Sequence, residues 1–212
     1  MLCQDGAMAV KHGTYRGQSL AQRRGERRRR LLDAVVEVWG TADGPPVTMT
    51  RVCSAAGLTE RYFYESFTDL DAALVATVES LAAEVARACG EAVADDAVEP
   101  SRRVRAGLEA LARLLVDDVH RGHVSMVAAA SHPATRGRRS DLLDGLRTFV
   151  VAEARAVHGD AAHSGDDALV AASMFLGGVG QLLTDRIEGR LDMAPDQIVD
   201  AAERLWRGTM LR

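Results

Sequence analysis

Apolar residues recur at three- and four-residue spacing along most of the chain, which is the spacing of one helix face. Leu31, Val35 and Val38 show it near the start, and Val179 and Leu183 show it near the end. Five prolines in 212 residues leave long stretches without a helix breaker, and only 4% of residues are aromatic. We therefore predict an all-α fold with no strand of useful length.

Charge is divided unevenly between the start of the chain and the rest. The whole chain has a net charge of −4, but residues 1–67 carry +3 and residues 68–212 carry −7. Residues 1–30 alone carry +6, and no apolar periodicity is visible before residue 23. We predict a mobile basic arm over residues 1–22 and a basic end of the molecule that meets a polyanion.

Three features indicate a cytoplasmic protein. Cys3, Cys53 and Cys89 are odd in number and far apart, which excludes a disulfide framework and a four-cysteine zinc site. Residues 1–30 contain no apolar run of the kind that a secretory signal needs. The longest uncharged stretch, residues 168–184, is 17 residues long and contains three glycines. We predict that it is a buried helix rather than a membrane span.

Residues 48–67 have the pattern of two short helices joined by a tight turn. Thr48 is placed to cap the first helix, and Gly57 supplies the left-handed residue that ends it. Thr59 is placed to cap the second helix. The predicted inward residues of the pair are Val52, Ala56, Phe63 and Phe67. This arrangement is a helix-turn-helix.

In a helix-turn-helix, the start of the second helix enters the major groove of DNA. Arg61 has the reach for guanine O6 and N7, and Glu60 can accept a hydrogen bond from cytosine N4. Hydroxyl and guanidinium groups nearby suit phosphate oxygens. The predicted DNA-binding residues are Arg27, Arg28, Thr48, Thr50, Thr59, Glu60, Arg61, Tyr62 and Tyr64.

Residues 47–67, VTMTRVCSAAGLTERYFYESF, resemble the DNA-binding segment of TetR-type transcriptional regulators. They share its apolar-Thr start, its small-residue pair before Gly57 and its apolar-Tyr pair three residues before Phe67, and the basic helix before them also fits. The resemblance spans about residues 24–80. It implies a three-helix DNA-binding domain over residues 23–67 and an effector-binding and dimerisation domain over residues 68–212. It further implies a homodimeric repressor without a cofactor, which binds a palindromic operator and is released by a small molecule.

One position departs from that family pattern. Three residues after Phe67, family members usually carry a lysine that pairs with a DNA phosphate, and this chain has Leu70. We expect weaker non-specific DNA affinity as a result, and we expect Arg27 to Arg30 and the basic arm to compensate for the missing cation.

The two closing helices, predicted over about residues 166–187 and 195–211, suggest a dimer interface. The first has two apolar stripes, so it must bury one against its own domain and the other elsewhere. The predicted interface residues are Ala171, Phe175, Gly178, Leu182, Ile198, Ala202 and Leu205. Two-fold pairing would present two recognition helices about 34–36 Å apart, one turn of DNA.

The pocket for a small-molecule effector is expected among the helices between residues 101 and 180. Apolar side chains alternate there with polar ones, as in many ligand pockets. The predicted lining residues are His123, Met126, Phe149, Met174 and Phe175, with plain core packing as the alternative for each.

The sequence leaves two other functions open. His120 and His123 share a helix face, and Asp117-x-x-His120 and Asp160-x-x-His163 have spacings that can hold a metal. A helical metal-binding or enzymatic bundle with an incidental basic end is therefore one alternative, although no esterase, phosphate-loop, zinc-protease or di-iron motif occurs. An architectural DNA-binding protein without an effector is the other. The sequence identifies neither effector nor operator, and it does not separate repressor from activator.

Overall fold

The computed structural model describes residues 19–94 and 99–212, and the elements within them are helical apart from one isolated bridge between Ala162 and Leu211. A π-helical turn, Val124–Ala128, follows the α-helix that ends at His123, and a 3₁₀ turn, Gly159–Ala161, follows the one that ends at His158. The α-helices are α1 Leu20–Trp39, α2 Met49–Ala56, α3 Glu60–Tyr64, α4 Leu70–Ala94, α5 Pro100–Leu115, α6 Val119–His123, α7 Ala129–Ser131, α8 Pro133–His158, α9 Gly165–Ile187 and α10 Pro195–Thr209. The predicted all-α fold is confirmed.

The first helix begins earlier than predicted. The Ser19 hydroxyl accepts a hydrogen bond from the Gln22 amide at 3.1 Å, and the Gln22 side chain accepts one from the Ser19 amide at 2.7 Å. This reciprocal capping box starts α1 at Leu20. Residues 20–22 therefore belong to the helix and not to the predicted arm of residues 1–22, whose residues 1–18 lie outside the described residues.

Helices α1, α2, α3 and the first turns of α4 enclose a small apolar core, which we call the N-terminal domain. Its innermost side chains have no exposed surface, and they are Leu31, Val35, Val52, Phe63 and Leu74. Full burial of one such side chain stabilises a fold by about 1.5–3 kcal/mol, so this set gives the domain a core of its own. The predicted inward residues of the helix pair all lie in it.

The start of α4 differs from the prediction. Thr68 and Asp71 have the three-residue spacing that predicts a capping box, but the Asp69 carboxylate accepts the hydrogen bond from the Ala72 amide at 2.7 Å. Asp69 immediately precedes the helix and is one of the strongest N-cap residue types, so it displaces the threonine.

Helices α5, α8, α9 and α10 pack around a second core, which we call the body. Phe175 of α9 meets Trp206 of α10 edge-on, with ring centroids 5.2 Å apart. The Trp206 indole N–H donates to Nε2 of His158 at 2.9 Å, so the polar atom of this buried ring is satisfied. By length and composition alone α9 could cross a membrane, but Val179 and Leu183 on its inner side are buried in this core.

The N-terminal domain meets the body where α1 ends. A Cβ atom on Gly40 would lie 2.5 Å from the His120 carbonyl oxygen of α6, so α1 and α6 approach backbone to backbone. The Trp39 ring packs edge-on against His132, with ring centroids 5.8 Å apart. Further along, Glu84 of α4 forms an ion pair with Arg121 of α6. Helices α4 and α6 therefore connect the two parts of the molecule.

Candidate nucleic-acid interface

Two of the three predicted caps, Thr48 and Gly57, fix the ends of α2, whereas Thr59 makes no side-chain capping hydrogen bond at the start of α3. The Thr48 hydroxyl accepts a hydrogen bond from the Arg51 amide at 3.3 Å at the start of α2. Gly57 ends α2 with a φ of 61°, a conformation that favours glycine, and its amide donates to the Ser54 carbonyl at 3.1 Å. Helix α3 begins three residues later. The two short helices and the tight turn of the predicted helix-turn-helix are therefore present in the structure.

The side chains of α3 divide between the core and the solvent. Phe63 has no exposed surface and packs on Phe67, with ring centroids 5.5 Å apart. On the other side, the Arg61 side chain is 85% exposed, Tyr64 is 59% exposed and Glu60 is also exposed. The outer face of α3 thus offers a guanidinium, a phenol hydroxyl and a carboxylate, which are the groups that contact phosphates and base edges.

Tyr62 and Arg27, both predicted to contact DNA, contact each other. The Arg27 guanidinium lies over the Tyr62 ring, 4.6 Å from its centroid, and one of its nitrogens lies 3.5 Å from the Glu65 carboxylate. Both residues are half-buried. A DNA contact by Arg27 or Tyr62 therefore has to compete with the interactions that the same side chain makes inside the N-terminal domain.

Other arginines of α1 donate to the carbonyl oxygens at which α2 and α3 end. Arg24 and Arg28 donate to the carbonyls of Glu65 and Ser66, just after α3, at 2.7 and 2.6 Å. Arg30 donates to the last carbonyl of α2 at 2.6 Å. Terminal carbonyls of a helix lack partners within it and carry the negative end of its dipole, so cationic donors are favourable there. The basic run therefore holds α2 and α3 against α1.

This geometry gives Arg28 a different role from the predicted phosphate contact. Its guanidinium is bound by the Ser66 carbonyl and lies 4.3 Å from the centroid of the Phe67 ring. The sequence carried the signal, because Arg24, Arg28 and Leu31 are spaced by four and three residues and so share one helix face. Since Leu31 is in the core, these arginines point towards the end of α3 rather than away from the protein.

Replacing Arg28 with alanine is expected to lower the free energy of unfolding by about 2–4 kcal/mol, because it removes a charged hydrogen bond and a cation–π contact. Arg29→Ala is the matched control, since Arg29 is exposed and pairs with Glu26 of the same helix. Its expected effect is below about 0.5 kcal/mol. Denaturant unfolding measures both variants, and equal losses would show that Arg28 does not hold α3 in place.

The three predicted threonine contacts lie at or near the starts of α2 and α3. Thr48, Thr50 and Thr59 are exposed. Thr59 occupies the N-cap position of α3 without making a capping hydrogen bond, so its hydroxyl is not used by the helix. The prediction missed Arg51, which donates to the Pro46 carbonyl at 2.9 Å and fixes the loop that leads into α2.

The described architecture has close counterparts among solved structures, although no family model and no curated protein matches the sequence. A TetR-like regulator from Rhodococcus sp. RHA1 has 20% identity and a TM-score of 0.66, over 86% of this chain and 94% of that one. FadR from Bacillus subtilis in complex with stearoyl-CoA has 16% identity and a TM-score of 0.71, over 84% and 96%. A TetR-family regulator from Marinobacter aquaeolei has 16% identity and a TM-score of 0.67, over 91% and 100%. The chain has the TetR-type fold.

The stripe predicted to form the dimer interface packs inside the chain in this TetR-type fold. Ala171, Phe175, Ile198 and Ala202 are each at most 5% exposed. A Cβ atom on Gly178 would lie 2.5 Å from a methyl group of Leu205, so the small residue serves the close approach of α9 to α10. The remaining two predicted residues, Leu182 and Leu205, are half-buried. Apart from Leu182, these residues therefore serve the packing of α9 and α10 within one chain.

A third face of α9 is apolar and exposed. Leu169 is 49% exposed, Val170 58% and Met174 62%, and Ser173 and Gly177 are exposed beside them. The stripe that contains Val179 and Leu183 is buried in the body as well. Most residues of both predicted stripes thus pack within the chain, and the exposed apolar surface of this TetR-type body lies on another side of α9.

The five predicted effector residues do not surround one cavity. Met174 lies on the exposed face of α9, while its neighbour Phe175 is buried against α10. Met126 and Phe149 are half-buried against the body core, and His123 is half-buried on α6. A separate hollow lies between α4, α5 and α6, and its side chains leave no room for a water molecule. It is lined by Leu81, Glu84, Val85, Leu114, Leu115 and Arg121.

Within the described parts of the chain, no three His, Cys, Asp or Glu side chains gather as a metal site would require. Burial raises the pKa of Cys89 to about 11, and burial together with the charge of Glu60 raises the pKa of Cys53. Reactive and metal-binding cysteines have a lowered pKa instead. Cys53 is 5% exposed and packs as a small core residue of the N-terminal domain.

Proposed function

We propose that this protein is a DNA-binding transcriptional regulator whose α3 enters the major groove. The two-sided character of α3 carries the proposal, because Phe63 anchors the helix while Arg61 and Tyr64 are left in solvent. Thr48, Thr50 and Thr59 lie beside them and supply hydroxyl groups suited to the DNA backbone. The TetR-type fold supports the same function, since the matching structures are of transcriptional regulators.

We propose that the functional form is a homodimer that pairs through α9 and α10. The exposed apolar face of Leu169, Val170 and Met174 supports this proposal, because an unpartnered apolar face of this kind marks an interaction site. In such a homodimer a two-fold axis relates the two copies of α3, so both can bind one side of the DNA. With a spacing of about 34–36 Å the preferred operator is a palindrome.

We further propose that the protein is a repressor released by a small molecule bound in the body. FadR from Bacillus subtilis, a structural neighbour, has been solved in complex with stearoyl-CoA, which is consistent with an effector in a fold of this type. The contacts of α1 and α4 with α6 couple the body to the N-terminal domain, because a ligand that favours another position of α6 would also move that domain. The protein is released from DNA if the two copies of α3 in that state no longer fit two adjacent major grooves.

Selection of bound fragments from a random DNA pool tests the DNA-binding proposal directly. We expect one enriched sequence with two-fold symmetry and a half-site repeat of about 10 base pairs. Binding without any enriched sequence would instead favour an architectural DNA-binding protein.

Arg61→Ala is expected to relax the base preference at one position of each half-site, at a cost of about 1–3 kcal/mol in binding free energy. The fold should be unaffected, because the Arg61 side chain is 85% exposed and its ion pair with Glu65 contributes little. Repeating the selection with the variant measures the effect. An unchanged base preference would remove Arg61 from the reading surface.

A further inference from the structure

The carboxylate of Glu65 is shared by two of the arginines predicted to meet DNA. Its Oε1 accepts a hydrogen bond from Nε of Arg61 at 3.2 Å, and its Oε2 accepts one from a terminal nitrogen of Arg27 at 3.5 Å. The backbone carbonyl of Glu65 also accepts the hydrogen bond from Arg24 at 2.7 Å. Each carboxylate oxygen therefore has its own cation, and the main chain that carries the carboxylate is held in place.

The position of this cluster matters for the proposed DNA contact. Arg61 and Glu65 are four residues apart, so their side chains are neighbours on one face of the recognition segment. Arg61 is 85% exposed, Glu65 35% and Arg27 26%. The negative charge of Glu65 thus lies beside the outer face of α3, where a phosphate oxygen would compete with it for the same two guanidinium groups.

We propose that Glu65 is a specificity-determining residue that withholds Arg27 and Arg61 from the phosphates of non-cognate DNA. A phosphate that attracts either arginine has to replace the carboxylate and then lie close to it. Solvent-exposed ion pairs are weak, so each arginine is restrained only about two- to threefold. On the cognate site Arg61 gains hydrogen bonds to a base edge, which outweigh the loss of Glu65. The proposal rests on the DNA-binding function proposed above.

The test compares wild-type protein with Glu65→Gln on a duplex of random sequence, titrated between about 50 and 200 mM salt. The variant keeps the shape of the side chain and removes its charge. We expect its affinity at the low-salt end to rise about three- to tenfold, and its slope of log affinity against log salt to become steeper by up to about 1.8, the equivalent of two more phosphate contacts. Affinity for the selected operator should rise less.

Two further sets of variants separate release of the arginines from simple loss of a repulsive charge. Glu37→Gln removes the same charge from an exposed position of α1 and should leave the salt slope unchanged. In an Arg61→Ala background, Glu65→Gln should steepen the slope by only about 0.9, since one arginine is left to release. With Arg27→Ala added, the steepening should vanish.

An unchanged salt slope for Glu65→Gln would overturn the proposal, and so would a steepening that persists without both arginines. Wild-type protein that bound neither random duplex nor any selected fragment would overturn the DNA-binding function, and this inference with it. This third result can be distinguished from the first two, because each of the first two requires that the wild-type protein binds DNA. A slope that steepens only when the arginines are present supports the proposal.

Discussion

Replacing Phe63 with alanine is expected to lower the free energy of unfolding by about 3–5 kcal/mol and to abolish operator binding near physiological temperature. Phe63 has no exposed surface, and its ring contacts those of Tyr64 and Phe67 at centroid distances of 5.8 and 5.5 Å. Helix α3 spans five residues, too few to be stable without tertiary contacts. Its position therefore depends on this ring and on the arginines that bind its last carbonyls.

Tyr64→Phe is the matched control for the loss of Phe63. It keeps the ring next to Phe63 and removes a hydroxyl that lies on the exposed side of α3. Thermal or denaturant unfolding should show a change below about 0.5 kcal/mol for the control, whereas its DNA affinity should fall. If Phe63→Ala unfolded with the wild-type midpoint, Phe63 would not be the anchor of the recognition helix.

The helix-turn-helix could be predicted from the sequence because its determinants are local. Thr48 caps α2 by accepting a hydrogen bond from an amide three residues along the chain, and Gly57 ends the helix through its own backbone conformation. The same reasoning failed at the start of α4, where Thr68 and Asp69 are adjacent candidate caps and only the path of the chain decides between them. Local sequence rules thus indicate where a helix begins more reliably than they decide which of two adjacent residues caps it.

The partners of the basic run and of α9 could not be predicted locally. The spacing of Arg28 and Leu31 indicates that the arginine lies on the core side of α1, but its partner, the Ser66 carbonyl, is 38 residues away and is not identified by local spacing. Helix α9 is apolar on three sides, so its pattern does not indicate which sides face its own chain. That choice depends on how α10 crosses it, through contacts such as the one between Gly178 and Leu205. The predicted effector residues are divided for the same reason, since Met174 and Phe175 are adjacent residues that lie on different sides of the helix.

Replacing Met174 with aspartate is expected to convert the proposed dimer to a monomer and to lower operator affinity about a hundredfold or more, because two linked half-site contacts become independent. Met174 is 62% exposed, so the aspartate is solvated in a single chain and folding should be unaffected. In the dimer the same carboxylate would be buried against the partner without a counter-charge, which is costly. Sedimentation equilibrium measures the association, and titration of full and half operators measures its consequence.

The comparison that isolates the interface is Ala152→Asp, which adds the same charge at an exposed position of α8. This control should remain a dimer with wild-type operator affinity. Met174→Asp should bind the full operator no more tightly than a half-site, because the binding of one N-terminal domain no longer brings a second one to the neighbouring half-site. A dimer that survives Met174→Asp with wild-type affinity would mean that the exposed face of α9 is not where two copies meet, and the one-turn spacing of the recognition helices would lose its structural basis.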